Sequence, residues 1–233
     1  MKQIHKYNNP FIVAKEIFKG YTLIRTLFNE AIKDYKISGK VLDIGSKSIK
    51  STYYQNIQIE KDTQITFTDL YEGDGVVKLD VQERFPFEEN TFDCIISFHL
   101  FEHVFNYQNS AIEIQRVLKP DGKFIIAVPF MHKFHADPDD FYRFTDSAIK
   151  KIWESNGLKC ESIEYIGEGF FTYAFTTMFS FTKPKILKGL LRTVSYLFMG
   201  TILDRITNKL QKNKKQKTIA QLYALEHIAV FKK

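Results

Sequence analysis

Cysteine is scarce. Cys94 and Cys160 are the only two in 233 residues, too few for a disulfide framework or a cysteine-rich zinc site, and such usage fits a reducing cytosol. Long apolar runs are missing as well. The longest charge-free stretches, Gly169–Thr182 and Thr193–Leu203, have 14 and 11 residues, short of the ~18 or more that a spanning helix needs. No plain membrane-crossing helix is therefore expected. The opening MKQIHKYNNPF has no apolar h-region, which argues against a secretory signal. Acid is what residues 183–217 lack: ten Lys or Arg stand there against Asp204 alone. The whole chain carries +6, so the remainder sums to −3. The basicity is local and does not by itself argue for nucleic acid.

What is present is a soluble, globular composition, 44% hydrophobic and 26% charged, in a chain long enough to bury a sizeable core. From Pro10 to about Lys36, Val13, Ile17, Tyr21, Ile24, Phe28 and Ile32 recur at helical spacing, with Gly20 interrupting the run. KVLDIG, ITFTDL, DGVVKLD and FDCIISF read as strands, followed by NSAIEIQRVLKPDG as a helix stopped by Pro120 and Gly122. KFIIAVPF is another buried strand. TDSAIKKIWESNG carries helix signals at both ends, Thr145 as N-cap and Gly157 past the last turn. CESIEYIGEG and LEHIAVFKK close the pattern. Strands apolar on both faces and alternating with helices predict an α/β fold with a mostly parallel sheet and helices on both faces.

In such sheets ligands bind beyond the carboxyl ends of the strands. Those ends carry Gly45-Ser46, Asp69, Asp80, Ser97-Phe98-His99 and Pro129-Phe130. Gly45 permits a tight turn with exposed N–H groups, yet the loop has one glycine of the three in a G-x-G-x-x-G fingerprint. An acid closing the second strand suits ribose hydroxyls, and Asp80 could accept from an adenine amino group. A P-loop is absent, and the fourth strand does not end in the N/D-P-P-Y/F of nucleic-acid amino methylation, so nucleic acid is not the expected partner.

VLDIGS, TFTDL, LDVQERFPFEENTFDCIISFHLFEHV and IEIQRVLKPDGKFIIAVPF together resemble class I S-adenosylmethionine-dependent methyltransferases of the small-molecule type. The likeness runs from about Lys40 to Gly167, with LEHIAVFKK similar to the last strand. It implies a Rossmann-like methyltransferase fold with a seven-stranded sheet and S-adenosyl-L-methionine as cofactor. It also implies site roles. Asp43 and Gly45, with Ser46 and Lys47, shape the methionine end. Asp69 and Leu70 hold the ribose, Asp80 and Val81 meet the adenine, and Phe98 and His99 line the floor. Lys47 departs from the family's glycine-rich loop. HADPDDFYRFT is similar to a subgroup tied to cell-surface polysaccharide or lipid-linked sugar pathways. The acceptor is then a small or lipid-linked molecule, with methylation of a quinone-like ring as the alternative within the family.

An oxygen nucleophile benefits from a base near neutral pKa. His135 is the first candidate, because Asp137, Asp139 and Asp140 follow it; His103 is the second. Tyr142 and Arg143 could hold a substrate hydroxyl, carboxylate or phosphate, or brace the loop. No metal is expected.

The domain plan is a single methyltransferase domain over 1–233, with an N-terminal helical segment at 1–38 and a helical basic insertion at 170–217. In the insertion Ile186, Leu187, Leu190, Leu191, Val194, Leu197 and Phe198 share one helical face, opposite Lys185, Lys188 and Arg192. After Gly200 a second piece groups Ile202, Leu203, Ile206 and Leu210. Two environments fit: a lid packed on the domain with its lysines in water, or peripheral contact of 183–217 with an anionic membrane face. The expected location is cytoplasmic, with the inner membrane face as an extension of it. A non-catalytic module docking through the insertion is the competing class of function.

Overall fold

Val41, Leu42, Asp43 and Ile44 are all buried, as a strand covered on both faces requires. The computed structural model describes residues 9–46, 51–167, 169–179, 183–210 and 217–233. Seven strands form the main sheet: β1 (Lys40–Ile44), β2 (Gln64–Asp69), β3 (Val76–Lys78), β4 (Phe92–Phe98), β5 (Leu118–Pro129), β6 (Lys159–Ile166) and β7 (Glu226–Lys232). Their spatial order is β3-β2-β1-β4-β5-β7-β6. The pairs β1–β2, β1–β4, β2–β3 and β4–β5 run parallel. The order reverses between β1 and β4, and this switch point is where the architecture puts its ligands. A further parallel pair joins Lys36–Ile37 to Gln58–Ile59.

The described residues divide into two compact units, Ile32–Glu164 with His227–Lys233, and residues 9–31 with Tyr165–Glu226. In the first, Ile95, Phe101, Ile114, Phe124 and Trp153 belong to one buried core. Helix α3 (Tyr107–Val117) ends three residues before Pro120, because Leu118 already pairs with Phe92 in the sheet. Three extra residues then bulge out before Lys123 pairs with Cys94. Helix α4 (Asp146–Glu154) begins as its sequence predicts, with the Thr145 side chain accepting from the Ala148 N–H at 3.2 Å.

In the second unit the expected single helix is two. Helix α1 (Pro10–Lys19) stops where Gly20 turns left-handed at φ 109°, its N–H reaching back to Glu16 and Ile17 carbonyls, and α2 (Leu23–Ala31) restarts beyond. Helix α5 (Phe170–Met178) follows β6. Helices α6 (Lys185–Val194) and α7 (Thr201–Leu210) are not separate pieces either. A π-helical turn, Ser195–Gly200, joins them into one helix of 26 residues. By length and composition that joined helix is apolar enough to cross a membrane, which the charge-free runs alone did not predict.

Candidate active site

The first strand ends in a bend that glycine alone makes comfortably. Gly45 sits at φ 87°, and a Cβ there would stand 3.1 Å from the Leu100 side chain. Its N–H donates to the Thr68 carbonyl at 2.9 Å, which fixes the turn against β2. Asp69 closes β2, and its carbonyl accepts from Leu79 N–H at 2.8 Å. That bond carries the chain from β3 to Asp80. The Asp69 carboxylate accepts from Tyr71 N–H at 3.2 Å, and that of Asp80 from Gln82 N–H at 2.9 Å. Both acids line one cleft of about 230 Å³ with Gly45, Leu70, Val81 and His99. His103, Val104 and Pro138 also line it. A glycine turn, two carboxylates and apolar lining residues such as Leu70, Leu79 and Val81 suit a ribose and an amino-substituted ring.

Other predicted positions stand elsewhere. Asp43 is not part of the cleft lining. It is fully buried, and its Oδ2 accepts from the Tyr53 and Tyr54 hydroxyls at 2.7 and 2.5 Å. Burial pushes its pKa up to about 6, against hydrogen bonds from Tyr54, Ser46 and Tyr53 that pull it down. Phe98 packs edge-on against Tyr53 at 5.0 Å and is likewise outside the lining. Ser46 accepts through its carbonyl from the Ser51 hydroxyl. Lys47 lies outside the described residues.

The second feature is a cluster that joins the β4 end to the loop after β5. His103 donates from Nδ1 to the Asp139 carbonyl at 2.5 Å. A carbonyl cannot donate, so the neutral ring presents its lone pair on Nε2. Nε2 faces Glu102 Oε1 at 3.8 Å, and His135 Nε2 faces the same oxygen at 3.9 Å. The two imidazoles meet edge to face, 5.0 Å apart. Glu102 is 0% exposed, and neither of its carboxylate oxygens meets a hydrogen-bond donor among the described residues. Burial raises its pKa, opposed by charge on His99, by its own backbone N–H, and by charge on His103 and His135.

Glu102 is not among the site residues expected from the sequence. The pair Glu-His between apolar Phe101 and Val104 was the available signal, since a buried turn there must bury the acid too. Its partner His135 stands far along the chain and no local pattern joins them.

The Asp-rich loop holds His135 by other contacts. Asp140 accepts from the His135 N–H at 2.7 Å and lies 3.5 Å from its Nδ1. Arg143 grips the same carboxylate with both terminal nitrogens, at 2.6 Å through Nη2, and also donates to the carbonyls of His132, Lys133 and Tyr142. That spends its planar fork on the loop and not on a substrate. The pairing holds the Asp140 carboxyl far below its usual range. Tyr142 donates to the Phe105 carbonyl at 3.0 Å and packs against Tyr107 and Phe144. His132 is pushed down to about 4 by burial, helped by His135 and Arg143, so it stays neutral beside His135.

Glu102, His103 and His135 each offer one ligand atom, all within 4.8 Å of one another. Neighbouring ligands of a zinc ion with bonds near 2.1 Å stand about 3.4 Å apart. The gaps of 3.8 and 3.9 Å are wider.

Residues 43–126 match a family model described as a methyltransferase domain. An uncharacterised protein of Methanocaldococcus jannaschii is 30% identical over 139 residues, 59% of this chain and 56% of that protein. The sterol 4-C-methyltransferase of Caenorhabditis elegans is 43% identical over 51 residues, 22% of this chain and 15% of that enzyme. The chain thus spans about half of one curated relative, 56%, and less of the other, 15%. A solved S-adenosylmethionine-dependent methyltransferase from Archaeoglobus fulgidus shares the fold at TM-score 0.55 and 16% identity, with 97% of this chain and 100% of that one covered.

Proposed function

We propose that this chain is a class I S-adenosylmethionine-dependent methyltransferase, a reading its fold and its matched domain support, and that it moves a methyl group to an oxygen of a small or lipid-linked acceptor. The observation that carries the choice of oxygen is Glu102, fully buried behind the cleft-lining His103, with the Nε2 atoms of His103 and His135 at 3.8 and 3.9 Å from its Oε1.

S-adenosylmethionine, when bound, supplies an electrophilic methyl carbon on a sulfonium. Asp69 would hold the ribose hydroxyls, Asp80 would meet the adenine amino group, and Gly45 would let the backbone approach. The protein's work is alignment, holding the acceptor oxygen about 3–3.5 Å from that carbon in a site shielded from water. His103 lines the cleft, and with its Nδ1 proton given to Asp139, its Nε2 would act as the base. Transfer would form the acceptor's O–C bond as the methyl–sulfur bond breaks and the neutral thioether leaves, and the acceptor's O–H proton would pass to an Nε2 of His103 or His135. The Glu102 carboxylate then faces an imidazolium and stabilises it. Arg143 and Asp140 keep His135 in register. The likeness of HADPDDFYRFT to enzymes of lipid-linked sugar pathways favours a sugar hydroxyl over a quinone ring.

Calorimetry with S-adenosylmethionine and S-adenosylhomocysteine is the first test. A methyltransferase binds both; a non-catalytic module docking through the basic insertion binds neither. Transfer of labelled methyl to a lipid-linked sugar fraction, lost in Glu102→Gln with cofactor binding kept, tests the proton path. Transfer unchanged in that variant would refute it.

A further inference from the structure

Helix Lys185–Leu210 is folded the wrong way round for water. Its inner side carries Gly189, Arg192, Ser195, Tyr196, Thr201 and Asp204, all buried. Arg192 is 5% exposed and donates to the Tyr21 carbonyl at 3.2 Å. Asp204 is 1% exposed, and its carboxylate caps the start of α5, accepting from Phe171 and Thr172 N–H at 3.0 and 2.7 Å. Glycine lets the backbones close in: a Cβ at Gly189 would stand 2.8 Å from the Phe18 carbonyl oxygen, and one at Gly200 2.5 Å from Thr172 Cα. The outer side is apolar. Ile186, Leu190, Val194, Phe198, Ile202 and Leu210 are exposed, Ile186 by 76% and Leu210 by 70%. In the same unit α1 exposes Phe11, Ile12 and Phe18.

A lid in water would bury that stripe and expose the charges. Here the polar face finds its partners inside the unit and the apolar face finds none among the described residues. Charge narrows the choice of what covers it. Residues 183–217 carry ten Lys or Arg, and their one acid, Asp204, is the buried cap of α5. A second copy would bring one such basic rim against another. Lys183, Lys185, Arg205 and Lys209 are exposed near the two ends of the stripe, where anionic head groups would meet them.

We infer that the helix Lys185–Leu210 docks this chain on an anionic lipid bilayer, lying in the interface with its apolar stripe among the acyl chains. It does not span. The uncharged middle, Thr193–Leu203, has 11 residues, about 17 Å of helix against a hydrocarbon layer of about 30 Å. The inference stands apart from the methyl-transfer proposal, since it rests on residues outside the cleft.

The test is co-sedimentation of the full chain with vesicles of phosphatidylcholine alone or with one quarter phosphatidylglycerol. Binding to the anionic vesicles is expected, at least about tenfold tighter than to the neutral ones and released by high salt. Phe198→Glu with Ile202→Glu should abolish it while the melting curve and cofactor affinity stay unchanged. Lys185→Glu with Arg205→Glu should weaken it without touching the stripe, in case the first pair disturbs the helix. Equal recovery in the supernatant with and without lipid overturns the inference. So does a concentration-dependent dimer with no lipid affinity, or resistance to alkaline carbonate extraction, which would mean a spanning helix.

Discussion

His103 gives its Nδ1 proton to the carbonyl of Asp139, 2.5 Å away, and so presents a bare Nε2 to the buried carboxyl of Glu102 at 3.8 Å. This single bond sets the tautomer of the ring that lines the cleft. It makes the backbone of the Asp-rich loop, not its carboxylates, the group that orients this ring.

Glu102→Gln should therefore lower kcat/KM for methyl transfer about 10²- to 10⁴-fold, the range of a lost acid–base partner. Cofactor affinity by calorimetry should stay close to wild type, because Glu102 does not line the cleft. Parallel losses in both would point to a collapsed site and not to a missing carboxylate.

Asp43 predicts a pH signature of stability. Its folded pKa, about 6, lies above the model-compound 3.8, so the folded state holds the proton more tightly. Its contribution is complete below pH ~4 and disappears as pH rises through the folded value; the shift is worth about 3 kcal/mol. Urea unfolding of wild type and Asp43→Asn from pH 4 to 7 should show the difference between them changing by that order, with the plateau reached above pH 6. A constant difference would contradict the burial argument.

Asp69→Ala should weaken S-adenosylmethionine binding about 10- to 100-fold, as expected for a charge-assisted hydrogen bond to a ribose hydroxyl. Gly45→Ala should weaken it as well, because the new methyl meets Leu100 at 3.1 Å and the backbone is held at φ 87°. Titration calorimetry of the two variants decides both points; unaltered affinity in Asp69→Ala would remove the ribose assignment.

Arg143→Lys cannot reproduce a two-nitrogen grip on Asp140. Limited proteolysis should then cut within residues 132–143 faster than in wild type, and KM for the acceptor should rise more than kcat falls. Asp140, with its pKa depressed by Arg143, stabilises the loop above the ordinary carboxylate range and loses that effect as pH falls through the depressed value. Wild-type protection from cleavage should thus persist at pH 5.

Prolonged EDTA treatment should leave methyl transfer unaffected, since the ligand atoms around Glu102 stand wider apart than a zinc shell. Loss of activity restored by a divalent ion would reassign Glu102, His103 and His135 from proton transfer to metal binding.

The strand ends were legible because their chemistry is local. Gly45, Asp69 and Asp80 each close or follow an apolar run, and parallel order alone sends all three to one edge of the sheet. Thr145 was legible as a cap for the same reason. The Glu102–His135 relation was not, since it arises only when the loop after β5 lies on the turn after β4, with Phe141 and Tyr142 N–H groups bonding the Glu102 carbonyl. Nor could the end-strand acid Asp43 be told from a cleft acid until Tyr53 and Tyr54 were seen to take its carboxylate.

By itself, the amino-acid order determined the alternation of strands and helices, the acids at their ends, and a helix with one apolar and one polar face. Periodicity says that a helix has two faces but is silent on which one turns inward, because that depends on what else packs there. Only the tertiary structure decided that Arg192 and Asp204 go inside and Phe198 outside, and that Glu102 is sealed beside two imidazoles. Both outcomes depend on contacts between segments distant in the chain, where burial and hydrogen bonding outweigh local pattern.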